Sequence, residues 1–445
     1  MPPPFGPPPS GPLTVLIVGA GIGGLSAAVA LRRAGHSVEL FEQSKFANEI
    51  GAAVHLGPNA SRVMESYGYS AGRLGGVPCR YMEMLSPDGT VLHSVDNSSV
   101  PEVYGAPWYL CHRVDLHNEL KFLAFDPEAS AGPVCKLHLS HMVVGIDADK
   151  GTLKIRGPWG PVIAHGDLII GADGIHSTVR STIFPSSMPP LPTGNSAFRF
   201  TISTDKLAAD PALSRFAPNP ERPTMRIVLG PDKRIVMYPC RRGELLNVVC
   251  IHPDPTSANN PEDTWNVASS VTALSAVYAD FGAAFLHLFA QLADAEVGLW
   301  QLKECAPLLS WVAGNVALLG DACHPLMPHQ GQGASQAIED GAALGVLFPL
   351  GTAPVDVPPR LALYEHVRKA RAETIQAFSR DAWKKAPVAQ NQVFTFGHDV
   401  VAYARESMTA VFVPLQEAGP QGMQVPQGSR GPSRGPSRGP SPVPR

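Results

Sequence analysis

The chain reads as an α/β protein with a Rossmann-like nucleotide-binding half, an interleaved antiparallel-sheet domain and C-terminal helices. Two observations predict this. Three apolar runs each end in a glycine-flanked turn that opens a helix, at residues 14–33, 167–180 and 316–340. Between the second and third of these the pattern changes to short β-type runs separated by turn and proline-rich segments.

The first unit starts with the strand Thr14-Val15-Leu16-Ile17-Val18, which enters Gly19-Ala20-Gly21-Ile22-Gly23-Gly24. A helix runs from there through Arg33, Gly35 marks its exit, and a second strand, Ser37 to Phe41, delivers Glu42. This is a dinucleotide fingerprint in its required context. Gly19 makes the tight turn, Gly21 lets the backbone approach a pyrophosphate, and Gly24 lets helix and strand close up. Glu42 stands where an acid holds ribose hydroxyls. Without a ligand the same stretch would be a glycine-rich turn, with Glu42 a solvated strand-end charge.

The second unit is Asp167-Leu168-Ile169-Ile170-Gly171-Ala172-Asp173-Gly174 running on to Arg180. Taken alone, Asp173 reads as an N-cap of the following helix, since aspartate is preferred there. In the third unit Val316-Ala317-Leu318-Leu319 runs into Gly320-Asp321. A proline-bracketed loop follows, and a helix opens at Gly331-Gln332-Gly333-Ala334. The aligned N–H groups at such an opening carry about half a positive charge, which suits a phosphate or an anionic ring. Cys323 in that loop invites a nucleophile reading, but a small loop residue is the plainer account.

All three units in this order resemble the FAD-dependent aromatic monooxygenases of the para-hydroxybenzoate hydroxylase fold, most of all their salicylate-hydroxylase-like branch. The resemblance covers about residues 13–185 and 300–380 and is loose between them. The segment Gly51 to Ala60 is similar to the family segment along the flavin edge, which includes Ala53; His55 stands where the branch often has glutamine. Cys111-His112-Arg113-Val114-Asp115-Leu116-His117 is similar to the family's arginine motif, so Arg113 is expected to contact FAD. Tyr364 to Arg371 resembles the helix that closes the domain.

The resemblance implies a discontinuous FAD-binding domain at 13–80, 105–185 and 300–350. It also implies a substrate domain at 81–104 and 186–299, and a C-terminal helical region at 360–415. By family role Asp173 and Asp321 lie at the FAD pyrophosphate and ribityl chain, with Asp173 also near the passage used by NAD(P)H. Gly331, Gly333 and Ala334 open the helix that would stabilise negative charge on the reduced ring. No second complete fingerprint is present in the sequence, as in relatives where NAD(P)H visits without a domain of its own.

In the substrate region, residues 197–201, 225–229, 234–238 and 245–250 read as short strands. Thr264 to Ala293 shows one helical period through Val267, Val271, Leu274, Val277, Phe281, Phe285 and Leu288, expected on the outer side of the sheet. His287 lies in that period and reads as structural. Arg199 and Tyr238 occupy strand positions similar to substrate contacts in aromatic-hydroxylating relatives. A guanidinium can fork onto a carboxylate or phenolate, and a tyrosine hydroxyl can orient a phenol. His55 is a candidate acid/base, its ordinary pKa lying near ~6.5. The plainer reading makes Arg199 a solvated strand residue and Tyr238 core.

The expected activity is therefore NAD(P)H-dependent hydroxylation of a phenolic or aromatic-acid ring by molecular oxygen through C4a-hydroperoxyflavin, with or without loss of carbon dioxide. A flavoprotein oxidase or reductase on the same scaffold is the alternative, and a non-catalytic FAD-binding interaction protein a further one. Composition permits all three. At 445 residues the chain can form two or three domains, and a net charge of −3 gives no electrostatic reason to expect nucleic acid or acidic membrane. Seven cysteines without C-x-x-C spacing favour a reducing, cytoplasmic setting over a disulfide framework. No His/Cys spacing signals a metal, and no nucleophile elbow accompanies a serine. A monomer or homodimer without a transmembrane segment is expected. Residues 1–12 read as a disordered proline-rich leader, not a signal peptide, and 416–445, with repeated Ser-Arg-Gly-Pro units, as a disordered tail.

Overall fold

The structure is a computed structural model that describes residues 11–45, 53–255, 267–382 and 389–417. Nearly all of the expected leader, Gly51 and Ala52, the first residues of the expected 264–293 helix, and the repeats of the tail lie outside the described residues. Gln416 and Glu417, which the sequence places in the tail, belong to the helix Val400–Glu417.

The first half is a six-stranded sheet in the order 312–313, 316–318, 168–171, 14–18, 37–42, 136–139. Its pairings are parallel except at the Val312–Ala313 edge. Parallel strands are covered on both faces, so their sequences run apolar without alternation. Leu168, Ile169 and Ile170 accordingly have no exposed surface. The helices Ile22–Arg33 and Gly333–Leu347 pack together on one face. On the other lies a three-stranded antiparallel sheet, 142–147, 152–157 and 160–165. A cavity of about 290 Å³ between those two sheets is lined by Glu39, Phe41, His138, His141 and His165.

The second half is an eight-stranded sheet in the order 267–268, 298–304, 191–203, 245–253, 234–240, 224–229, 81–85, 91–96. The expected antiparallel sheet is mixed in one place: Tyr81–Leu85 runs parallel to Thr224–Leu229. A parallel neighbour needs a long crossover, and the intervening 97–223 supplies one.

Side chains alternate across this sheet with the period of two that strands impose. Phe198, Phe200, Ile202, Val228, Ile235, Met237, Leu246, Val248 and Cys250 form a core with Leu274, Phe285, Leu288 and Phe289. The other face carries Arg199, Tyr238 and Asn247, the last two directly opposite each other across the ladder.

The expected single helix is two: Val271–Val277 and Ala283–Phe289, preceded by the short strand Val267–Ala268. The chain breaks at Gly282, whose N–H donates to Pro87 O at 2.8 Å. The break also lets the Tyr278 hydroxyl donate to Ile251 O at 2.8 Å. His287 sits on the second helix, its ring at 2.7 Å from Asp210.

A small sheet joins the halves. Ala53–Leu56 and Val77–Pro78 flank Tyr109–His112, which packs against Arg234–Cys240 of the large sheet. The helix Arg113–Phe125 starts directly after that central strand. C-terminal helices Val357–Asp381, Ala389–Phe396 and Val400–Glu417 complete the fold. No helix among the described residues is long and apolar enough to cross a membrane. All seven cysteines are buried and unbridged.

Candidate active site

The three glycines of the first turn do different things. Gly19 has φ +95°, and a Cβ on it would lie 2.5 Å from Ala172 O. A Cβ on Gly24 would lie 2.0 Å from Gly19 O, so only glycine lets the helix start this close to the turn. A Cβ on Gly21 would meet nothing within 4 Å, which leaves its backbone open to an approaching group. The Glu42 carboxylate accepts from Ala20 N–H at 3.0 Å and Ser44 N–H at 2.8 Å, tying the second strand's end to this turn.

Asp173 lies against Gly19, but it is not the helix cap. Ser177 is the N-cap, accepting from Arg180 N–H at 2.8 Å. Asp173 accepts from the Ser177 hydroxyl at 2.5 Å and from Val179 N–H at 3.0 Å, so it orients the cap instead. Burial pushes its carboxyl up, against these hydrogen bonds.

The expected helix opening at Gly331 shifts by two residues. Pro328–Gln330 forms a 3-10 turn, Gly331 is left-handed at φ +59°, and the helix begins at Gly333 after Gln332. A glycine at Gly331 is the residue that adopts this conformation without strain. Gly331, Gly333 and Ala334 are half-buried, and a Cβ on Gly333 would meet nothing within 4 Å. Asp321 is exposed on the preceding loop. The Arg113 guanidinium and the His324 ring lie within electrostatic reach of it.

That loop is anchored from beneath. Asp340 accepts from Gly320 N–H at 2.9 Å and holds His324 at 2.6 Å, so its carboxylate grips the chain on both sides of Asp321. Arg368 donates to Asp340 at 2.7 Å and to Glu339 at 2.5 Å, and Arg371 donates to Glu339. Asn59 donates to Glu339 at 2.6 Å. Cys323, His324 and Asp340 offer three ligand atoms within 4.8 Å of one another. The Arg368 guanidinium already supplies the positive charge a cation would bring there. Burial and Asp340 push the Cys323 thiol well above its ordinary pKa, which disfavours a thiolate nucleophile.

The predicted substrate residues converge where the large sheet meets Ala53–Leu56 and the Gly331 turn. The rings of His55 and Tyr238 stand edge-on with centroids 6.0 Å apart. A Cβ on Gly331 would lie 1.6 Å from His55 Nε2, so that nitrogen is directly beside the turn. Arg199 lies over the Trp300 ring at 5.1 Å, and its Nε is buried without a hydrogen-bond partner. Burial lowers its pKa, with Arg113 pushing the same way and Tyr238 opposing. Burial also holds the Tyr238 hydroxyl well above the usual tyrosine range and brings His55 down to about 4.

Two residues here escaped sequence reasoning. Asn247 has no exposed surface, and its Oδ1 accepts from Ala53 N–H at 3.1 Å. Its signal was legible: it is the one polar residue in Leu245–Cys250. Trp108 donates its Nε1–H to His55 Nδ1 at 3.3 Å, a contact with no signature in the sequence.

The family described as FAD binding domain matches residues 12–379. The chain belongs to that family. It is 37% identical over 377 residues to hispidin-3-hydroxylase of Neonothopanus nambi, covering 82% of this chain and 87% of the relative. Over 392 residues it is 30% identical to 6-hydroxynicotinate 3-monooxygenase of Bordetella bronchiseptica, covering 87% and 96%. Its fold matches a salicylate hydroxylase substrate complex with a TM-score of 0.70 at 26% identity, covering 89% of this chain and 98% of that one. By this kinship the chain is an FAD-dependent aromatic-ring monooxygenase.

Proposed function

We propose that this monooxygenase uses NAD(P)H to hydroxylate a phenolic or aromatic-acid substrate at the junction of Arg199, Tyr238 and His55. The observation that carries the reading is their convergence. Residues from two sheets meet beside Gly331, at the start of the helix Gly333–Leu347, with Arg113 within electrostatic reach of Arg199.

Gly19, Gly21, Gly24, Glu42, Asp173, Arg113 and Asp321 would hold FAD, with Ala53, Gly331, Gly333 and Ala334 along its ring. The open backbone at Gly21 and Gly333 fits that role. Bound FAD would accept a hydride from NAD(P)H and activate molecular oxygen. The chain's own residues bind, orient and exclude water. Arg199 pairs with an anionic oxygen, and Tyr238 keeps its proton and donates it in a hydrogen bond. The buried packing of Trp108, Phe396 and Met225 around Tyr238 keeps the junction dry.

Turnover of FAD-loaded protein under labelled oxygen tests this. One labelled atom is expected in the product for each NAD(P)H consumed. Stoichiometric hydrogen peroxide with unlabelled product would replace the reading with an oxidase. Release of carbon dioxide from a carboxylated substrate would place oxygen entry at the carboxylate-bearing carbon.

A further inference from the structure

Three polar side chains at this junction, His55, Asn247 and Arg199, share a property that narrows the substrate: their acceptor atoms are already used, or they have none, while the Tyr238 hydroxyl beside them keeps its proton. An indole N–H only donates, so the His55 Nδ1 facing Trp108 must be an acceptor. The neutral ring therefore carries its proton on Nε2, beside Gly331. A backbone N–H also only donates, so the Asn247 atom facing Ala53 is Oδ1. Its Nδ2 is left as a buried donor with no partner. Arg199 has no acceptor atom, its Nε is unpartnered, and no carboxylate among the described residues pairs with it. Buried donors without acceptors are costly unless something else supplies the acceptor.

The titratable groups acting on this cluster are Arg113, Cys79, Cys111 and Cys240, with Asp321 and His324 on the loop facing Arg113. Burial keeps the three thiols protonated, and His55 is neutral at ordinary pH. The groups touching the junction itself thus offer donors and no base.

We propose that this junction takes its substrate already ionised. The class is an acidic phenol or enol whose oxyanion is conjugated to a second oxygen acceptor, held by Arg199, the Asn247 Nδ2–H and the His55 Nε2–H. The proton is lost to water before binding, and no side chain of the chain removes it. Trp108 is a positioning residue, fixing the tautomer that makes His55 a donor. This deepens the reading above and rests on it.

The test uses FAD-loaded protein and three probes that differ mainly in acidity: 4-nitrophenol, 4-cyanophenol and phenol. Binding is followed by flavin absorbance and by the probe's own phenolate band. The pH midpoint of affinity is expected to move from probe to probe with each probe's ionisation, and the bound probe to show the phenolate band. Asn247→Asp keeps the acceptor for Ala53 N–H but replaces a donor with negative charge. It should weaken phenolate binding by roughly tenfold or more while FAD content and melting temperature hold. Trp108→Phe should weaken it less, on the order of threefold, by freeing the His55 tautomer. A midpoint at one fixed pH for all three probes would assign a protein base, Asp321 first, and overturn the proposal. So would binding of the neutral phenols, or no binding by any probe at full FAD content. Failure of the monooxygenase reading would show separately, as missing label in product or missing FAD.

Discussion

Two buried polar regions lie within this fold and are built on opposite rules. Around Glu339 and Asp340 every charge is answered: two arginines, His324, Asn59 and a backbone N–H converge on two carboxylates. At the Arg199 junction the guanidinium Nε and the Asn247 Nδ2 are buried without partners, and the His55 ring turns its Nε2 beside Gly331. The first region holds the loop that carries Asp321; the second has room in its hydrogen bonding for a ligand.

Breaking each region should therefore hurt different observables. The largest effect is expected from Arg368→Met, which leaves Glu339 and Asp340 without their shared partner. Loss of one side of a buried pair costs about 3–5 kcal/mol, so thermal melting should fall by many degrees. A change under about 1 kcal/mol would mean the cluster is not the anchor described here.

Arg199→Ala should do the reverse. Melting temperature and FAD content should hold, because no internal carboxylate loses its partner. Substrate binding should weaken by roughly ten- to a hundred-fold, and NAD(P)H consumption should outrun hydroxylated product. Tyr238→Phe should show the same uncoupling to a lesser degree, since it removes orientation without charge. Unchanged affinity and coupling in both would move the substrate elsewhere.

Acid sharpens the comparison. Burial alone would raise Glu339, but Arg371 and Arg368 outweigh it and hold its carboxyl below the usual range. Asp340 is likewise held low by His324 and Arg368 against burial. Folded values below unfolded ones give stability that is present above the ordinary carboxylate range, about 4, and lost as pH falls through the folded values. Burial also brings His55, His329 and His398 down to about 4. The unfolded chain protonates such rings from about 6.5 downward while the fold resists, so the sign is the same. Melting temperature should be level between about pH 7 and 8, decline as pH drops from about 6.5, drop faster below about 4, and fall again above about 8.5, where the unfolded chain ionises thiols that burial keeps protonated. A maximum near pH 5 would contradict both assignments.

The smallest effect expected is at Gly331. Gly331→Ala forces a Cβ onto His55 Nε2 and strains a left-handed backbone, costing on the order of 1 kcal/mol or somewhat more. Adding His55→Ala should recover the steric part only, as differential melts would show.

Much of the first half was legible because its turns are made of backbone. Gly19, Gly21 and Gly24 are needed for reasons that any residue with a side chain violates, so the motif survives in the letters themselves. The alternation that separates Arg199 from Phe198 and Phe200 was legible for the same kind of reason. Contacts made by docking one sheet on another were not: Asn247 meets Ala53 across 194 positions, and Trp108 meets His55 across 53. The helical period through Val277, Phe281 and Phe285 misled because a step of four fits one helix or two short ones bent at Gly282. The shift of the last helix to Gly333 reflects a 3-10 turn that uses the same loop residues.

The strict alternation along residues 197–202 also limits how this protein can change over generations. Inserting or deleting one residue there would swing Arg199 into the aromatic core beside Phe285 and Phe289 and turn Phe200 onto the face that carries Tyr238 and Asn247. Change on that face must then arise by exchange of letters at alternate positions. Changes in length are left to the connections between strands, where the period of two is not in force.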